Sequence, residues 1–292
     1  MKNYKLFRAN LGTPLVAAEL SFDGNFELDE DDADILIQIS GGAIIWQKER
    51  LLNLAIKSVP ADVNTIAWVD CDVIFERLDW VDAANEQLKE LNVVQLYSDL
   101  VDLHQGSEAT EFGHASTTGA ARGAVSLIHE KGLKHADIAP LLERGRAAGG
   151  QSMGLAWAAK RRIMEDHGLY DAMIAGAGDR ALVGTMYGQI QKVAQVFEFN
   201  NARAEHYFKW ARPYYEDIDE RIGFIPGRIF HLWHGELANR KTLERHRLLA
   251  RFGLEPDADL VVGANGAWQW KRSRPDLEEF FVNYFKNRAE DG

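Results

Sequence analysis

The stretch Thr65–Phe75, TIAWVDCDVIF, is an apolar run that ends on two carboxylates, Asp70 and Asp72. Ile66 to Val69 are apolar with no polar alternation, the pattern of a central parallel strand covered on both faces, so the acids fall at its carboxyl end. In an open α/β sheet ligands bind there, because the loops leaving the strands surround a crevice. Two acids of one sign gathered in a crevice need a cation. Positions i and i+2 of an extended chain point the same way, so both carboxylates can address one metal ion or one metal-bound ligand. The triplet is short enough to arise by chance, and the alternative is a pair of solvated turn acids, so context carries the reading.

Working outward, Lys2–Asn10 reads as a charged helical piece, and Leu15–Phe22 and Ile35–Ser40 read as strands separated by an acidic, solvated loop over Asp23–Asp34. After the Gly41-Gly42 break, Ala43–Lys57 has a helical apolar period that Pro60 ends. Strand, helix, strand from Ile35 to Asp72 predicts a parallel pair with a right-handed crossover. Trp80–Leu91 is an amphipathic helix and Val93–Tyr97 a strand. Asp102–Gln151 has little apolar period and much Gly, Ser, Thr and Ala, which predicts a mobile lid or insertion. Gly154–His167 reads as a helix, and Leu169–Asp179 as an apolar segment turning on small residues. Arg180–Gln195 reads as a helix, Ile222–His234 as the last strand and Asn239–Phe252 as a basic helix. With no repeat and no linker, the expectation is one α/β domain over residues 1–250 and an extension over 251–292.

A hydrophobic content of 46% in 292 residues is ample for a core. The formal net charge of −11 excludes a broad electrostatic grip on nucleic acid, so any phosphate recognition must be local. Cys71 is the only cysteine, which rules out an intramolecular disulfide. No run reaches the roughly 18 apolar residues of a membrane span, and the start lacks a signal-peptide core. The expected compartment is the cytoplasm.

Three separated features bear on chemistry: Asp70-x-Asp72, Gly176-Ala177-Gly178-Asp179 and His231-Leu232-Trp233-His234-Gly235. Carboxylate plus imidazole with open water positions suits manganese or magnesium bridging phosphates, whereas zinc favours Cys and His. Asp179 reads alternatively as a helix N-cap. Arg50 and Lys48 could contact a diphosphate, against the plainer reading of solvated helix charges. Trp233, Trp157 and Trp210 could stack on sugars, or belong to the core. Arg240, Lys241, Arg245, His246 and Arg247 could touch phosphate or an anionic acceptor, with a solvated face as the alternative.

Together Trp46–Asn53, AWVDCDVIF, the helix followed by AGAGD, and FHLWHG make the chain from about Leu15 to about Leu249 resemble a GT-A glycosyltransferase. The likeness is to the galactosyltransferase and polypeptide N-acetylgalactosaminyltransferase group, and the order of the pieces is more specific than any one of them. The resemblance implies a Rossmann-like mixed sheet flanked by helices. It also implies a nucleoside-diphosphate sugar donor, UDP-linked, and a saccharide or other hydroxyl acceptor. Asp70 and Asp72 map onto the metal- and nucleotide-binding pair, His234 or His231 onto the histidine that completes the metal shell, and Asp179 onto the acceptor-side base of an inverting displacement. One departure accompanies it: the helical start precedes any strand, so the family's first strand is expected to be missing or truncated. The competing functions are a nucleotidyltransferase, disfavoured by the absence of a Gly-rich phosphate loop near the N-terminus, and a carbohydrate-binding protein that kept the fold without catalysis.

Overall fold

The computed structural model describes residues 1–106, 117–144, 146, 150–240 and 242–288. The chain opens with α1 (Lys2–Leu11), which buries Phe7 and Leu11 and stops at Gly12 in the left-handed region, φ 68°. Then come β1 (Val16–Ser21), β2 (Ile35–Ser40), α2 (Lys48–Ser58), β3 (Thr65–Val69), β4 (Val73–Phe75), α3 (Trp80–Gln87) and β5 (Val93–Gln95). The middle holds β6 (Asp99–Leu103), β7 (Thr117–Arg122), α4 (Ala124–Glu130), α5 (Ala139–Glu143), β8 (Ala156–Lys160) and α6 (Arg161–His167). There follow α7 (Gly178–Met186), α8 (Ile190–Val196), α9 (Asn201–Ile218), β9 (Ile222–Phe224) and β10 (Arg228–His231). The chain closes with α10 (Thr242–Arg251), α11 (Pro256–Asp259), β11 (Leu260–Val262), β12 (Trp268–Trp270) and α12 (Pro275–Arg288).

The architecture is mixed α/β. One four-stranded sheet has the order β3-β8-β5-β9 and a second the order β4-β10-β6-β7, while β1-β2 and β11-β12 form two-stranded pairs. Two expectations about the central stretch are corrected. The strand β3 pairs antiparallel with β8, at the end of its sheet, and it alternates: Ile66 and Trp68 are buried while Ala67 is exposed. An apolar exposed residue hides this alternation from a reading of the letters, because alanine costs little in water. The parallel partner of β2 is β1, not β3, and the acidic loop carries that crossover.

Gly154–His167 also differs from its helical expectation. Its first half is β8, the strand that joins β3 to β5, and only Arg161–His167 is helical. Local alanine content favours a helix, but burial of the whole of Ala156–Ala159 between two strands outweighs a propensity worth tenths of a kcal/mol per residue. Trp157 in β8 stacks on Trp68, centroids 6.5 Å apart and rings 13° from parallel, inside the main core.

The expected lid over Asp102–Gln151 is largely built structure. Its described parts supply β7, α4 and α5 and bury Val125, Ile128 and Leu142. Residues 107–116, 145 and 147–149 lie outside the described residues. The last forty residues are joined to the same core through Leu254, Leu260, Leu277 and Phe281. Among the described residues no helix is long and apolar enough to cross a membrane.

Candidate metal centre

The strand register assembles the centre. After β3 the chain turns, with the Val73 N–H donating to Asp70 O at 3.3 Å, and re-enters as β4. The strand β10 sets His231 opposite Val73 on its antiparallel side and opposite Asp102 on its parallel side. The Leu232 N–H donates to Asp72 O at 2.8 Å, tying the far end of β10 to the turn. Asp72, His231 and His234 thereby converge, with ligand-capable atoms all within 4.8 Å of one another.

The hydrogen bonds set which atoms face inward. His231 Nδ1 lies 2.9 Å from Asp102 Oδ1, and its Nε2 lies 3.6 Å from Asp72 Oδ2. His234 Nε2 is 2.9 Å from the same carboxylate oxygen, 3.2 Å from His231 Nε2 and 2.7 Å from the Arg240 guanidinium. Burial raises the Asp72 pKa, and the two imidazoles outweigh it, holding the carboxyl below its ordinary range. The buried Asp72 Oδ1 has no hydrogen-bond partner among the described residues. An ionised carboxylate with an orphaned oxygen and two imidazole nitrogens is a set of acceptors that could hold a divalent ion. Two nitrogens to one oxygen fit a transition ion such as manganese better than magnesium, which prefers all-oxygen shells.

Asp70 takes another direction. The turn at Cys71 breaks the extended geometry that would have aimed both acids at one ion, and Asp70 Oδ1 lies 2.6 Å from Lys48 Nζ. The same ammonium is 3.4 Å from Asp179 Oδ2. Burial lowers the Lys48 pKa, and Asp179 and Asp70 more than restore it, so the group stays charged. Asp179 sits in the first turn of α7 but does not cap it: the N-cap is Ala177, in the left-handed region at φ 67°, with no side-chain cap. A Cβ on Gly154 would lie 2.4 Å from Asp179 Oδ2, so glycine there makes room for the carboxylate.

Lys48, Asp70, Asp72, Asp179, His231 and His234 all line one cavity of about 1540 Å³, along with residues of β1. Arg50 does not. It donates to Gly266 O at 2.7 Å and pairs with Asp171 at 3.0 Å, clasping α2 to the loops before α7 and β12. Trp233 borders the cavity, whereas Trp157 is buried in the core and Trp210 stacks on Tyr214 with its N–H on His167 O. The solvated-face expectation for α10 fails at two positions: Arg245 and His246 are buried, and His246 meets Gly176 O at 3.0 Å. Arg247 is exposed, and Lys241 lies outside the described residues.

Sequence reasoning passed over three residues of the site. Asp102 reads in the letters as the start of a loop, although an acid closing the apolar step Leu100-Val101 carries the same signal as Asp70. Glu49 is buried between the Lys48 ion pairs and α7, and burial pushes its carboxyl up to about 8. Arg180 follows Asp179 and lines the cavity beside it. No protein-family model, no curated protein and no solved structure matches the chain.

Proposed function

We propose that the chain is a metal-dependent glycosyltransferase of GT-A type that moves a sugar from a nucleoside-diphosphate donor to an acceptor hydroxyl with inversion. The observation that supports it is the convergence of Asp72, His231 and His234 on a cavity that also holds Asp179 and Lys48. The order of these residues along the chain is that of the resemblance: acid pair, acid after a small-residue turn, histidines at the end of β10, the last strand of the two four-stranded sheets.

A divalent ion held by Asp72, His231 and His234 would supply Lewis acidity for the charge that builds on the departing diphosphate, replacing proton donation. The Asp102 carboxylate, 2.9 Å from His231 Nδ1, favours the tautomer in which Nε2 presents a lone pair. Asp179 takes the proton from the acceptor hydroxyl, and a single base opposite the leaving group gives one direct displacement. Lys48 lies 3.4 Å from Asp179 and holds the carboxylate on the cavity wall. Residues of β1, α2 and α7 wall the cavity in which the displacement takes place.

The test is calorimetric titration with a panel of nucleoside diphosphates, with and without manganese. Binding of one of them only with metal, lost in Asp72→Ala, is the expected result. Equal affinity of wild type and Asp72→Ala in manganese would remove the metal from the mechanism.

A further inference from the structure

A groove of about 820 Å³ runs between α10 and α12. The helical period accounts for its make-up. On α12 the residues Asp276, Glu279, Phe280, Asn283, Tyr284 and Asn287 recur at spacings of three and four and share one face, while Leu277 and Phe281 turn into the core. On α10 Glu244, Arg245 and Leu248 repeat the spacing, and Phe252 continues it past the helix end. Half-buried Phe252, Phe280 and Tyr284 give the groove its aromatic lining, with the Phe252 and Phe280 centroids 5.6 Å apart. Asn283, Asn287, Glu244 and Glu279 are exposed around it.

The groove joins the cavity that holds the metal centre, because Glu244 and Arg245 line both. Arg245 hydrogen-bonds the Tyr284 hydroxyl and stacks on that ring at 4.9 Å. Its other side faces the turn that leads to Asp179: a Cβ at Gly176 would lie 3.2 Å from Arg245 Nη2. A molecule that presents a hydroxyl to Asp179 can therefore follow this wall out of the cavity into the groove.

The charge of the groove is one-sided. Among the described residues that line it, Glu244, Asp276 and Glu279 carry carboxylates, Asp276 being paired with Arg274 at 2.9 Å, and the cation is the buried Arg245. Such a rim disfavours phosphate, sulfate and uronate groups. Sugar rings offer apolar C–H faces that lie on the negative faces of aromatic rings, and their hydroxyls both donate to and accept from side-chain amides and donate to carboxylates. Charge alone would also admit a basic peptide; the aromatic lining edged with amides favours the sugar chain. The volume is that of an ordinary ligand cleft, roughly 300–1,000 Å³.

We propose that the groove between α10 and α12 is a subsite for an oligosaccharide that carries no acidic group, so that the acceptor is a sugar chain rather than a single sugar. The proposal deepens the transferase reading and rests on it for the word acceptor, while carbohydrate binding by the groove stands or falls by itself.

The test is calorimetric titration of the full chain with cellohexaose, N-acetylated chitohexaose, hexagalacturonate and hexalysine in the absence of divalent ions, and with UDP in manganese. One of the two neutral hexamers binds more tightly than the acidic and basic ones. Its affinity falls roughly 10-fold in Phe280→Ala, which removes an aromatic platform, and roughly 5–10-fold in Asn283→Ala, which removes a hydroxyl partner. Metal-dependent UDP binding is unchanged in both, since neither residue lines the cavity. Asn283 is exposed, so its variant keeps the melting temperature of wild type and guards against a folding defect at Phe280. Failure of both neutral hexamers to bind, or equal affinity in wild type, Phe280→Ala and Asn283→Ala, overturns the subsite. Tighter binding of hexagalacturonate or hexalysine than of either neutral hexamer overturns it too, by giving the groove to an acidic glycan or a basic peptide. Neutral-hexamer binding that depends on Phe280 and Asn283 in a chain that binds no nucleoside diphosphate would overturn the transferase reading and support the groove as a carbohydrate site.

Discussion

Glu49 makes the stability of this protein fall as pH rises through neutrality. The side chain is 5% exposed, and its carboxyl packs so closely on α7 that a Cβ at Gly178 would meet Oε1. Burial disfavours the charged form, Lys48 partly offsets this, and the neighbouring Asp179 charge adds to it. The carboxyl therefore moves from 4.5 to about 8. Between those values the folded chain holds a proton that the unfolded chain has released. The stabilising contribution is fully present below pH 4.5 and is lost as pH rises through 8. Each pH unit in that window costs about 1.4 kcal/mol, for a total on the order of 5 kcal/mol, a large part of the net stability of a domain. Glu49→Gln fixes the neutral form. Urea unfolding of both proteins from pH 5 to 8.5 should show their difference growing by several kcal/mol in favour of Gln as pH rises. Other titrating groups act in both proteins and drop out of that difference. Parallel curves, with the difference constant to about 0.5 kcal/mol, would refute the reasoning.

Asp102→Asn removes the negative charge that faces His231 Nδ1 at 2.9 Å, and manganese affinity measured by calorimetry should fall roughly 10–100-fold with little change in melting temperature. Unchanged affinity would leave Asp102 a purely structural residue. Asp179→Asn keeps the shape of the side chain, which caps no helix, and should lower transfer roughly 10²–10⁴-fold with donor affinity little changed. Near-normal transfer would take Asp179 out of the mechanism. Gly154→Ala places a methyl on Asp179 Oδ2 without requiring an unusual backbone, so transfer should drop while the fold persists; a fully active variant would show that the carboxylate position is not critical.

Much of the site was legible in the letters because its residues lie at element ends, where an apolar run stops on a charge. Asp72 after TIAWV, Asp179 after AGAG and the histidines after RIF were all found that way. The same logic located β1, β2 and β3 to within a residue or two, since strand ends coincide with changes of polarity. It failed where local signal and environment disagree. Ala156-Trp157-Ala158-Ala159 reads as helix and is a strand, because the sheet it joins offers burial that its own residues do not encode. The stretch after Asp102 reads as a lid because small residues hide a period, yet α4 and α5 are packed against the core.

What the chain determined alone is the inventory: one α/β body with a real core, acids and histidines placed to follow strands, and no array of basic charge. Which of those residues meet was decided by the tertiary structure. A turn of two residues sends Asp70 to Lys48 and Asp72 to the histidines, a divergence that spacing of i and i+2 does not reveal. Pairing of β10 with both β4 and β6 brings Asp72, Asp102 and His231 together from positions separated by up to 159 residues in sequence. Arg245 and Arg288, remote from Trp46 in the letters, both come to lie over its indole ring only in the folded chain. Charges act through distance, and distance between remote positions belongs to the fold rather than to the order of residues.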